Sequence, residues 1–482
     1  MNKKSFLVAL LVSSVYQANA NNDTIPQMLS IDEALHITMT SNPMMDAIKY
    51  EEDAANKERK AALGLYFPKI GVVGTYALLS DDIAIDANPV KEELGAVAGS
   101  LLPILPPNLQ QIVAGKLAQL AQKDLRMVIQ DNNFGVVGAN VTMPIFTGGK
   151  IIAANNAARI KQKEAEAKGM QNKSALVSEL IERYYGLSLS QQVTLLREQV
   201  LEGMHKHLED AIALEENGMI AKGERLHAQS YEADAVKEYN NAKLFENTIN
   251  TALLTTLNQE NEMRILPASS LFIVTDLESV DYFKKMALAG NPLVEQVKLK
   301  GELAREGVKL QRSEFMPQVA VMGVVDVYNH QLTKYAPKWA IGAGVKMNIF
   351  DGLHREHKYG AAKSTVKQAD AYREKAENDI QALVEKLYNS LLSSAQQIPA
   401  LEASVEFAKE YLRIKEVAFT EGSATSNDVV DARLHLAKKQ TERLQAAYTY
   451  DITLAKLLEA CGQSERFLEY CTRPSNQIIS YK

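Results

Sequence analysis

Four stretches of this chain alternate apolar and polar residues with a period of two, the pattern of a strand with two unlike faces. The first runs over about 69–79. In the second, 135–146, Val137, Ala139, Val141, Met143 and Ile145 share one face, and Gly138, Asn140 and Thr142 the other. In the third, 318–328, Val319, Val321, Val325 and Val327 oppose Gln318 and Asp326. In the fourth, 339–350, Trp339, Ile341, Ala343, Val345, Met347 and Ile349 oppose Gly342, Gly344, Lys346 and Asn348. Each strand is about 10 residues or slightly longer, enough to cross a bilayer when tilted, and Tyr335 and Trp339 suit its interface. Pattern alone favours a half-buried sheet on a soluble core.

After the second and fourth strands the period changes to three and four. From Gly148 to Asn217 and from Gly352 to Glu421 the sequence predicts helices of about 70 residues, roughly 100 Å each. Ile380, Leu383, Val384, Leu387 and Leu391 mark an apolar seam. Pro399 interrupts the second run where the first has Leu195; at about 3 kcal/mol it predicts a kink or break near Gln396.

The two halves are copies at an offset of 204: Phe146 matches Phe350, Gly148 matches Gly352, Tyr184 matches Tyr388 and Gly218 matches Gly422. Upstream the offset is 249, where Asn42-Pro43 matches Asn291-Pro292 and Tyr66-Phe67-Pro68 matches Phe315-Met316-Pro317. The difference is an insert in the first copy, 80–133, with a proline knot (Pro103, Pro106, Pro107) and a helix-like stretch from Leu109 to Ile129. An insert tolerated in one copy belongs at a loop tip. Ser30, followed by Asp32 and Glu33, reads as the cap of a first helix, which Asn42-Pro43 breaks. The expected layout is a first repeat over 21–270, a second over 271–461, and a tail over 462–482.

Targeting decides between the two readings of the strands. Asn2-Lys3-Lys4, the apolar run from Phe6 to Val15 and Ala18-Asn19-Ala20 predict a cleaved secretory signal over 1–20. Residue 21 is Asn, so no thiol follows to carry a lipid. No later apolar run reaches 18 residues, so membrane entry would be by β-strands. Four strands cannot close a barrel, since closed membrane barrels have about eight or more. Several copies must then share one, to satisfy their edges. A net charge of −6 gives no nucleic-acid surface. Cys461 and Cys471 could close a small loop or stay reduced. His205 and His207 diverge on a helix, His354 and His357 lack a third ligand, and no phosphate loop or nucleophile-base constellation is present. No cofactor, metal or enzymatic activity is expected.

Together the secretory signal, the duplicated helix-strand-strand-helix units, the corners Pro144-Ile145-Phe146-Thr147-Gly148-Gly149-Lys150 and Asn348-Ile349-Phe350-Asp351-Gly352, and the tips Glu216-Asn217-Gly218 and Thr420-Glu421-Gly422 resemble the TolC-like outer-membrane efflux protein family. The resemblance covers nearly the whole mature chain except the insert and the tail. It implies an α+β membrane protein: a homotrimer with a twelve-stranded β-barrel in outer-membrane lipid, continued by a long periplasmic α-helical barrel. It implies an exit duct for a tripartite efflux pump or type I secretion system, docked through Asn217, Gly218, Glu421 and Gly422 to a periplasmic adaptor and thence to an inner-membrane transporter. Asp428 and Asp431 match the acids that ring such a duct's periplasmic constriction, with Glu224 and Phe419 at the latch. Phe419 and Ala424 depart from the tyrosine and arginine of some members, so a latch here rests on other contacts. Val137, Val141, Val319, Val321, Trp339 and Ile341 would face lipid. A soluble periplasmic coiled-coil adaptor is the alternative.

Overall fold

The computed structural model describes residues 27–260 and 263–480; the expected signal segment lies outside them. The first half contains β1 (Gln27–Leu29), α1 (Ile31–Ser41), α2 (Pro43–Leu63), β2 (Lys69–Leu78), β3 (Ile83–Asp86), α3 (Asn88–Leu101), α4 (Pro107–Ala121), β4 (Arg126–Gln130), β5 (Asn133–Phe146), α5 (Lys150–Glu216) and α6 (Lys222–Leu257). The second contains β6 (Ile265–Pro267), β7 (Leu271–Ile273), α7 (Val280–Gly290), α8 (Pro292–Ser313), β8 (Gln318–His330), β9 (Trp339–Lys346), α9 (His354–Thr420), α10 (Ser426–Ala460), α11 (Phe467–Cys471) and β10 (Gln477–Ile479). Two compact units cut across the sequence repeats, each taking pieces from both.

One unit, Ala54–Lys163 with Leu299–Asp370, holds a four-stranded antiparallel sheet in the order β2-β5-β8-β9. Its register places Ile70, Val141, Gly323 and Ile341 in one row, and Val72, Ala139, Val325 and Trp339 in the next. Opposed residues of antiparallel strands share a face, so these rows form one apolar surface. Asn140, Thr142, Asp326 and Lys346 lie on the other. The apolar face is not folded onto a core: Ile70 is 76% exposed, Val72 73%, Trp339 67% and Ile341 73%. Strict alternation ends at Val327, which a bulge leaves without a partner on β5 while Tyr328 pairs with Val137. A second bulge lies near Ile145.

The fourth strand stops at Lys346, short of the expected 350. Arg355 accounts for this: its guanidinium donates to the carbonyls of Asn348 (2.8 Å) and Ile349 (3.1 Å) and to the Asp351 carboxylate (2.8 Å), drawing these residues out of the ladder. In the insert the expected helix over 109–129 ends early. Arg126–Gln130 is instead β4, paired antiparallel with β3, because Val128 and Ile129 favour a strand once a partner is at hand. The Asp124 carboxylate accepts from Arg126 N (3.0 Å) and helps turn the chain into it.

The other unit comprises the residues up to Asp53, Glu164–Lys298 and those from Ala371 on. Its core is helical and aromatic. Tyr185, Phe272 and Phe467 meet edge to face at 5.8–6.0 Å, which brings the C-terminal tail into the core. Two short pairings flank this cluster: β1 with β6, parallel, and β7 with β10, antiparallel. Ser30 caps α1 in a reciprocal capping box with Glu33. At the two Asn-Pro breaks, Asn42 Nδ2 donates to Thr256 O (2.7 Å) and Asn291 Nδ2 to Ala460 O (2.8 Å). Each repeat thereby ties its entry helix to the end of its returning one.

Helices α5 and α9 are 67 residues each. Pro399 does not break α9; Leu391 and Ile398, fully buried, and Leu401 pack into the core on either side of it, which offsets the lost hydrogen bond. Cys461 and Cys471 are both free, their thiols donating separately to Phe283 O and Leu468 O. No helix among the described residues is long and apolar enough to cross a membrane.

Candidate functional site at the hairpin tips

Both helical hairpins turn in the same way. Gly218 and Gly422 sit at φ +71° and +73°, a left-handed conformation that glycine adopts without a Cβ clash. Met219 N donates to Leu214 O (2.9 Å) and Ser423 N to Ala418 O (2.8 Å), closing each helix with the same five-residue loop-back. Asn217, Gly218, Glu421 and Gly422 are exposed at these turns.

The second tip leads into α10 through a capping box. Asp428 Oδ2 accepts from Thr425 N (2.9 Å) and Thr425 Oγ1 (2.8 Å), while Thr425 Oγ1 accepts from Asp428 N (3.3 Å). Asp428 Oδ1 accepts from Lys415 Nζ (2.9 Å). The Thr425 amide and then Lys415 hold this carboxyl down at about 2. Asp431, one turn on, is exposed. Glu224, at the start of α6, accepts from Ser426 N (2.9 Å), so an acid of the first repeat caps a helix of the second.

Phe419 is buried, 2% exposed, and its ring lies 4.6 Å from that of His207. His207, also buried, shares a 2.7 Å hydrogen bond between Nε2 and Ser426 Oγ. Arg433 pairs with Glu416, and its guanidinium lies against Gly203, where a side chain would displace it. Between these groups is a cavity of about 190 Å³, lined by Lys206, His207, Asp210, Phe419, Val429 and Arg433.

The strand residues form a second feature of the same chain. Val137, Val141, Val319, Val321, Trp339 and Ile341 all occupy the apolar face of the sheet, Val319 opposite Val345 and Val321 opposite Met143 and Ala343.

A family model described as outer membrane efflux protein matches residues 284–463, which span the second long hairpin and its tip. Over that stretch the chain is similar to the outer membrane efflux proteins. Two curated relatives are similar to it. The alkaline protease secretion protein AprF of Pseudomonas aeruginosa is 24% identical over 210 residues, 40% of this chain and 41% of AprF. The outer membrane efflux protein BepC of Brucella suis is 21% identical over 340 residues, 68% of this chain and 72% of BepC. The match thus spans about two fifths of AprF. Among solved structures, the CmeC outer membrane channel of Campylobacter jejuni superposes with a TM-score of 0.69 at 14% identity, over 92% of this chain and 89% of that one. The four-stranded sheet with two long helical hairpins is the fold of these channels.

Phe419 and Ala424 do not leave the tip without ties. The contacts are made by His207, Ser426, Arg433 and Lys415, which the sequence did not single out. His207 drew notice only beside His205; its partner Ser426 is 219 residues away, and no local pattern joins them.

Proposed function

We propose that this chain is one third of a passive outer-membrane exit duct, delivering small molecules or proteins out of the cell for a tripartite efflux pump or a type I secretion system. The observation that carries this reading is the sheet: one face is apolar and exposed, and its two outer strands, β2 and β9, are each paired on one side only. Lipid satisfies the face, and β9 of one copy pairing with β2 of the next satisfies the edges. Three copies give a twelve-stranded barrel, and their long hairpins form the periplasmic tunnel. A soluble periplasmic adaptor would not present such a face. Repeats over 21–270 and 271–461 build the two hairpins of each protomer, and 80–133 is an insert between the two strands of the first repeat.

The tips at Asn217, Gly218, Glu421 and Gly422 dock a periplasmic adaptor, which connects the duct to an inner-membrane transporter that supplies the energy. Asp431 carries the charge of the constriction. Asp428 contributes less, because Lys415 neutralises it. Glu224 and Phe419 act inside the tip, holding it together. The chain performs no chemistry of its own and uses no cofactor.

Purification from outer membranes followed by native mass measurement tests the reading. A trimer that conducts in planar bilayers is expected; a monomer, or a protein extracted without detergent, would overturn it.

A further inference from the structure

We infer that His207 is the clasp that keeps the hairpin tips together, and that proton uptake by its ring releases them. This rests on the exit-duct reading and adds a regulation to it. The imidazole stands on α5, hydrogen-bonds Ser426 at the start of α10 and packs on the ring of Phe419 from α9. Ser426 in turn donates its backbone N–H to Glu224 of α6. One buried ring is thus tied into all four helices of the two tips. The ties join the first repeat to the second, so parting the hairpins must break them.

A neutral ring suits this position. Its Nε2 and the Ser426 hydroxyl share one proton at 2.7 Å, and the ring packs on Phe419. The charged groups around it come from every packed element: Lys206 and Asp210 on its own helix, Glu224 on α6, Glu416 on α9 and Arg433 on α10. In the tautomer with Nε2 unprotonated, a second ring proton removes the lone pair to which the Ser426 hydroxyl donates. It also places a cation beside Arg433 on a ring that is 4% exposed and so poorly hydrated. Burial first and Arg433 second push the titration of His207 below its ordinary range, against Asp210 and Glu224, which pull it up. The closed tip therefore has its full stability above the ordinary histidine value of about 6.5 and loses it as the pH falls below that value toward the titration point of the closed form. Once the hairpins part, water solvates the imidazolium and the ordinary value returns.

The test is conductance of the full-length assembled protein in planar bilayers as the tip side is taken from about pH 8 to about pH 5, together with hydrogen exchange of the tip amides. Wild type is expected to open several-fold on acidification, with faster exchange over 207–224 and 419–430. In His207→Gln, which cannot take up a proton, the pH step should vanish from both readouts, and His207→Ala should exchange fast at every pH. A pH step that persists in His207→Gln, or tip amides in His207→Ala as protected as wild type at about pH 8, would overturn the clasp. If His207→Ala fails to assemble, the Gln variant carries the test. Wild type that forms no channel at any pH would refute the duct reading instead, while exchange would still report on the clasp.

Discussion

A Cβ on Gly148 would stand 2.5 Å from the Cβ of Met316 and 2.7 Å from the carbonyl oxygen of Ser313. The first corner after the strands therefore admits no side chain, and its φ of +63° would strain one in any case. At the matching corner Gly352 has φ +74° with open space around its Cβ position. Gly352→Ala is expected to cost about 1 kcal/mol, the conformational penalty alone, and Gly148→Ala several times that. Thermal melting of the assembled protein checks the order; equal melting points would refute it.

Tyr184 spans the β1–β6 junction. Its buried hydroxyl donates to Leu29 O (2.7 Å) and accepts from Ser269 N (3.0 Å). Tyr184→Phe strands the Ser269 N–H, while Leu29 O keeps the bond from Ala268 N (2.9 Å), and should lower unfolding stability by about 1–3 kcal/mol, measured by chemical denaturation. A loss much below that range would mean that water replaces the hydroxyl.

Asp451 is fully buried, with Oδ1 unpartnered and Oδ2 accepting from Phe272 N at 3.4 Å. Burial raises its carboxyl well above the ordinary range, so the folded protein holds this proton at pH values where the unfolded chain has lost it. Stability then falls as pH rises from the ordinary carboxylate range to the folded value, by about 1.4 kcal/mol per pH unit within that window. Asp451→Asn removes the slope. It should match wild type at about pH 4 and exceed it near neutrality; unfolding curves that stay parallel across this range would contradict the assignment.

Asp431→Asn should weaken the cation preference of the channel, read as a reversal-potential shift in a salt gradient. Asp428→Asn should shift it less, because Lys415 already balances that carboxylate, but should loosen the start of α10. The capping variant Thr425→Ala should cost about 1 kcal/mol there. A larger selectivity shift from Asp428→Asn than from Asp431→Asn would reverse the assignment.

The strands and long helices could be read because each carries its period over many residues and the chain states the pattern twice; Gly218 and Gly422 stand out by the same duplication. The three-residue strands β1, β6, β7 and β10 could not. They contain too few residues for a period and exist because distant segments pair, as Gln27 does with Ile265. The insert misled at 126–130, where five residues chose the state of their partner strand. Pro399 misled because local cost was weighed without the core around Ile398. At the tips the acids were visible as residue types, but not what each one binds. Lys415 lies thirteen residues before Asp428 across a turn, and Glu224 meets Ser426 from the other repeat.

The two bulges in β5 and β8 have a consequence for stoichiometry. The sheet ends in two different strands, β2 and β9, so in the proposed duct copies add head to tail, and nothing in that pairing counts them. A ring of three closes only if each sheet turns through a third of a circle. Bulges sharpen twist and bend a strand, and both stand on the two inner strands, β5 and β8, away from the edges where the proposed copies would pair. In the proposed duct the number of subunits would thus be written into the curvature of a single chain rather than into the surfaces where the chains meet.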